Sequence, residues 1–114
     1  MIYDDPKDLG IWLRFNDAVR ALCTEPGPLD KKLYRAYYDC GIVHLSSNRF
    51  KDEYIFKQLK CIEQIVDKGY PKFNIPDGIF IPVNKLYLHW RTATKMAQAI
   101  FDIYEYLTKL HMSE

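Results

Sequence analysis

Several residue patterns that commonly announce a function are scarce in this chain. Glycines number five and are scattered, so no glycine-rich loop of the GxGxxG or P-loop kind is present to cradle phosphate. Cysteines number three, at Cys23, Cys40 and Cys61. An odd count leaves one unpaired in any disulfide scheme, and no CxxC pair exists to build a structural zinc site. Excess charge is missing too: 16 basic against 15 acidic side chains give a net charge of +1. That is too weak a field to draw nucleic acid or anionic lipid to the molecule as a whole. No apolar run approaches the ~18 residues of a membrane span. The first residues, Met1 to Pro6, lack the basic stretch and apolar core of a signal peptide. A cytoplasmic protein is expected, with no membrane contact, no cofactor and no metal. Its cysteines read as small core or near-core residues in a reducing compartment.

What the chain does have is apolar and aromatic surface. Of its 114 residues 48% are hydrophobic and 15% aromatic, with nine tyrosines and two tryptophans. Such a chain is too apolar for disorder and has the size of one domain, 1–114. There is no internal repeat and no Gly/Ser linker. Turn residues cluster at Glu25-Pro26-Gly27-Pro28, at Ser46-Ser47-Asn48 and over Gly69 to Asn84, dividing the chain into four segments with helical periodicity.

The first runs from about Pro6 to Cys23, with Asp5 as its cap and proline at the first helical position. Leu9, Trp12, Leu13, Val19, Leu22 and Cys23 form a broad stripe that Ile11, Phe15 and Ala18 widen. The second covers about Leu29 to Leu45, with Leu29, Leu33, Ala36, Tyr37, Cys40 and Val43 on one face. Gly41 inside it marks either a close helix neighbour or a break. The third runs from about Arg49 to Lys68, capped by Asn48 or Ser47. Ile55, Leu59, Ile62 and Val66 face inward there, and Glu53, Lys57, Lys60, Gln64 and Lys68 face outward. The fourth begins after Asn84. Leu86, Trp90, Ala93, Ala97, Ile100, Tyr104, Leu107 and His111 recur at steps of four and three, with Met96, Ile103 and Leu110 beside them. This ~28-residue helix, about 42 Å long, reads as the spine of the fold, and its seam could also join two copies in a homodimer. The pattern as a whole predicts an all-α, single-domain bundle of four or five helices, with a long apolar loop or short hairpin at about 70–83. Three prolines and only two charges make that last segment unusual for a connection. It is either a strap over the bundle or a binding arm.

Candidate chemistry is thin. Cys40 and His44 have metal-like i, i+4 spacing, but no second pair completes a site. His89 lacks a matched nucleophile and carboxylate nearby in sequence. Asp52-Glu53 and Asp102/Glu105 lie near lysines and read as solvated surface. A non-enzymatic protein is expected, one that binds another protein and blocks or holds it sterically, of the immunity, antitoxin or inhibitor type. Tyr34, Tyr37, Tyr38, Tyr70, Phe73 and Phe80 are its candidate contact residues, because aromatic side chains with polar tips suit interfaces. The alternative is a helical nucleic-acid binder using Lys31, Lys32, Arg35, Arg49, Lys51 and Lys57, with Lys60 nearby and aromatic residues interleaved. Basic groups would hold phosphates and rings would stack on bases.

Overall fold

The computed structural model describes residues 3–69, 86 and 88–112. Among them 78% are helical and none lies in a strand. The expected segment at 70–83 and Asn84, after which the fourth segment is expected to begin, lie outside the described residues. Four α-helices, α1 (Leu9–Thr24), α2 (Leu29–Tyr34), α3 (Glu53–Gly69) and α4 (Trp90–Met112), form an all-α bundle.

Helix α1 starts one turn later than Asp5 and Pro6 suggest. Asp5 closes a preceding turn, accepting from the Lys7 and Asp8 amides. Asp8 is the cap, its Oδ1 accepting from the Gly10 N–H at 2.8 Å. The buried face of α1 is Ile11, Phe15, Ala18 and Ala21, whereas Leu9 and Leu13 are exposed. A helix apolar around most of its circumference has no unique stripe by periodicity, so its packing partners, α4 on one side and the chain from α2 to the first 3₁₀ turn on the other, choose the face. Glu25 to Pro28 ends α1, with Gly27 at φ 106°.

Helix α2 does not run on to Leu45. After Tyr34 it widens into a π turn, Arg35–Asp39, in which the Cys40 N–H reaches the Arg35 carbonyl at 3.2 Å. Gly41 then takes φ 89° and breaks the helix, a conformation that disfavours any side chain. A β-carbon there would sit 3.5 Å from Arg14 of α1, so space remains and the constraint is the backbone angle. Two 3₁₀ turns, Ile42–His44 and Ser47–Arg49, lead to α3.

Asp52 caps α3, rather than Ser47 or Asn48; its Oδ1 accepts from the Ile55 N–H at 3.1 Å. The two faces of α3 are as the pattern predicts: Ile55, Leu59, Ile62 and Val66 are buried, and Glu53, Lys57, Lys60, Gln64 and Lys68 are exposed. Ser47 is buried and binds across to this helix. Its N–H and its hydroxyl each donate at 2.8 Å to one oxygen of the Glu63 carboxylate.

Helix α4 is the spine, packing against α1, α2 and α3. It begins at Trp90, later than the seam suggests, and is 23 residues long. Its buried line is Ala93, Met96, Ala99, Ile100, Ile103 and Leu107. Ala97 and Tyr104 flank that line, and Trp90 is 66% exposed because it opens the helix. Both α1 and α3 run antiparallel to α4. Trp12 meets Thr108, while Val19 and Leu22 lie beside Ala97; Asp52 meets Tyr106.

The Ser47–Glu63 contact makes a direct prediction. Glu63→Ala leaves two buried donors unsatisfied and should lower the unfolding free energy by roughly 2–3 kcal/mol, against about 1 kcal/mol for Ser47→Ala. Urea unfolding of both variants and their combination checks this. The double variant should be no less stable than Glu63→Ala, whereas full additivity would contradict a shared contact.

Candidate interaction surfaces

The tyrosines proposed as contacts do not share one environment. Tyr34 and Tyr38 are half-buried and in tilted ring contact, with centroids 4.6 Å apart. Tyr37 meets Tyr38 edge-on at 5.0 Å and is buried in the core with Leu33 and Ala36. Its place in the apolar stripe of the second segment, here in the π turn, thus prevails over its place among the contact residues. Tyr70, Phe73 and Phe80 lie outside the described residues. Beside Tyr34 a cleft of about 340 Å³ is lined by Glu25, Lys31, Lys32, Arg35 and Asp39.

The basic set separates into two groups, and much of its charge is answered locally. Lys31, Lys32 and Arg35 border the Tyr34 cleft, where the Arg35 guanidinium stands 3.3 Å from Glu25 and 3.9 Å from Asp39. Around the start of α3, Arg49 pairs with Asp4 at 3.2 Å and Lys57 with Glu53 at 3.4 Å. Lys51 instead lies over the ring of Tyr3, 5.7 Å from its centroid. Lys60 is exposed on the outer face of α3. Of this second group Lys51 and Lys57 line a larger cleft, of about 520 Å³, between the N-terminal arm and α3.

A third surface runs along the seam of α1 and α4. Four rings follow one another there, Phe101, Tyr104, Trp12 and His111, with successive centroids 6.4, 6.1 and 6.3 Å apart. Trp12 is fixed by its indole N–H, which donates to the Thr108 hydroxyl at 2.9 Å. Phe101 is 43% exposed at one end of the row. It borders a groove of about 250 Å³ whose other walls are Val19, Leu22, Cys23, Thr94, Ala97 and Gln98. Among the described residues no charged side chain lines this groove. The sequence hints at it through the α4 seam and through Val19, Leu22 and Cys23 on the stripe of α1, but that stripe is too broad to single the groove out.

The titratable groups serve mainly structural ends. His89 caps α4, its Nδ1 accepting from the Arg91 N–H at 3.3 Å. His44 is exposed in the first 3₁₀ turn. The break at Gly41 removes the helical i, i+4 relation between Cys40 and His44, and among the described residues no group of three His, Cys, Asp or Glu could hold a metal. The Nε2 of His111 is buried without a hydrogen-bond partner among the described residues. The three thiols are free, and Cys23 and Cys61 are exposed rather than near-core, each just off the buried line of its helix. Burial pushes the half-buried Cys40 thiol up, with Asp17 and Asp39 adding to the effect. Asp52 is no solvated surface charge: beyond capping α3 it accepts from the Tyr106 hydroxyl at 2.5 Å, and Tyr54 stacks on Tyr106 at 4.7 Å. That hydrogen bond, followed by burial and the carboxylate charge, raises the Tyr106 phenol to about 12. No helix among the described residues is long and apolar enough to cross a membrane.

Comparison of the chain with protein-family models, curated proteins and solved structures returned no match.

The phenol ionises near 10 in an unfolded chain and about 12 in the fold. The stability Tyr106 contributes is therefore complete below the lower value and lost as pH rises through the higher one. Urea midpoints measured from about pH 9 to about pH 11 should fall more steeply for the natural chain than for Tyr106→Phe. Parallel profiles would contradict the assignment.

Proposed function

We propose that the chain is a non-enzymatic, cytoplasmic protein-binding module that acts by covering a partner's surface, as immunity, antitoxin or inhibitor proteins do. The observation that carries this reading is the groove beside the aromatic row of α1 and α4, which has no charged lining side chain among the described residues. Burying such a groove strands no unpaired charge, which is the costliest error an interface can make. Exposed aromatic anchors supply most of the binding energy in many interfaces. Here Phe101 is exposed on α4 and the half-buried Trp12 and Tyr104 continue the row over two packed helices, so little conformational freedom is lost on contact. Three free thiols, two of them exposed, support a reducing compartment. The half-buried pair Tyr34 and Tyr38 lies at the end of α2 and in the π turn that follows, apart from this groove.

A photo-crosslinking residue placed at Phe101, with Lys60 as the control position, tests the reading in cells that make the protein. A discrete adduct to a second protein is expected from position 101 and not from position 60. Phe101→Asp should reduce recovery of that protein by about tenfold or more, the effect of losing an interface anchor, without changing the melting temperature. An adduct of the chain to itself, together with a dimer in sedimentation, would assign the seam to a homodimer and overturn the blocking role. No position-specific adduct would also overturn it.

A further inference from the structure

The cleft between the N-terminal arm and α3 has a chemistry unlike that of the α1–α4 groove. Its apolar walls are aromatic: Tyr3, Phe50 and Phe56. Phe50 is anchored in the core, while Tyr3 and Phe56 are each more than a third exposed, at 45% and 37%. The arm is clipped in place, since the Asp4 N–H donates to the Arg49 carbonyl at 2.7 Å and the Arg49 guanidinium donates to the Asp4 carboxylate at 3.2 Å. Tyr3 therefore stands as a preformed wall.

The polar rim carries two ammonium groups, Lys51 and Lys57, one carboxylate, Glu53, and the amide of Asn48. Glu53 is engaged with Lys57 at 3.4 Å, but both side chains are mostly in solvent, and such exposed pairs yield readily. Lys51 has no carboxylate partner among the described residues; it lies over the Tyr3 ring. The Asn48 carbonyl oxygen accepts from the Ser46 hydroxyl, which leaves its NH₂ group as a donor without a partner among the described residues. The rim thus offers a net positive charge and an amide donor next to stacking surfaces. The cleft volume of about 520 Å³ falls within the range of small-ligand sites.

We propose that this cleft binds a planar aromatic ring bearing an anionic group, the chemistry of a nucleotide. The ring stacks between Tyr3 and Phe56 over the edge of Phe50. The phosphate is held by Lys51 and the Asn48 amide, with Lys57 joining once it exchanges Glu53 for the anion. Lys31, Lys32 and Arg35 belong to the other cleft and take no part. The same unit of base and phosphate occurs in a free nucleotide and in a single strand.

The test uses the full chain and two probes, adenosine monophosphate by calorimetry and a fluorescent single-stranded oligo-adenylate by anisotropy. Saturable binding of the mononucleotide supports a free nucleotide as the ligand, and binding of the oligonucleotide alone supports a strand. In either case Phe56→Ala should weaken binding about tenfold, the effect of losing one stacking ring. Lys51→Ala should weaken it and flatten its salt dependence. Glu53→Gln should tighten it, because a carboxylate that competes with the ligand is gone. These side chains lie at the surface, and unchanged circular dichroism spectra verify folding. No saturable binding of either probe at millimolar concentration overturns the proposal. So does binding that none of the three variants changes.

Discussion

A single carboxylate, that of Asp52, joins the two longest helices. One of its oxygens caps α3 through the Ile55 N–H and the other receives the Tyr106 hydroxyl of α4. An N-cap fixes where a helix starts, and a hydrogen bond to an ionised group is stronger than a neutral one. Together they set the start of α3 against the end of α4, with Tyr54 stacked on Tyr106. The antiparallel arrangement follows from this end of the bundle. From there Ile55, Leu59, Ile62 and Val66 can meet the buried line of α4, and α1 closes the other side. Ser47 and Glu63 hold the irregular approach to α3, and Arg49 holds the N-terminal arm beside it.

Two surfaces of contrasting character result from this frame. Along α1 and α4, rings and small apolar residues form a groove without charge, suited to a protein face that is dehydrated on contact. At the start of α3, rings and ammonium groups stand together, suited to a ligand that is flat at one end and anionic at the other. The basic and aromatic residues between positions 31 and 60 are continuous in sequence but not in space: the break at Gly41 and the two 3₁₀ turns send Lys31, Lys32 and Arg35 to one cleft and Lys51 and Lys57 to another.

Much of the fold was legible because its signals are local. The two faces of α3, the end of α1 at Pro26-Gly27-Pro28 and the role of α4 as spine all follow from periodicity and turn chemistry. What periodicity missed depends on distant partners. Asp52 looks like a surface acid until Tyr106, 54 residues away, comes to it. Asp5 and Asp8 are both plausible caps, and only the packed position of α1 selects the second. Leu9 and Leu13 fit the apolar stripe of α1 by spacing, but the helix buries Ile11, Phe15, Ala18 and Ala21 and meets α4 through Trp12, Val19 and Leu22. Trp90 fits the seam by spacing but stands at the helix start, where it stays mostly exposed. The site was less legible than the fold: Tyr37 serves the core, and the α1–α4 groove has one wall from each of two segments some 80 residues apart in the chain.

The central functional claim is that the α1–α4 seam is the face that meets the partner protein. Hydroxyl-radical footprinting of the chain, free and in complex with the protein crosslinked from position 101, measures this directly at each side chain. Trp12, Phe101 and Tyr104 should lose reactivity on binding, while Tyr54 and Trp90, exposed elsewhere, keep theirs. Protection of Tyr54 or Trp90 with Phe101 unchanged would contradict the account.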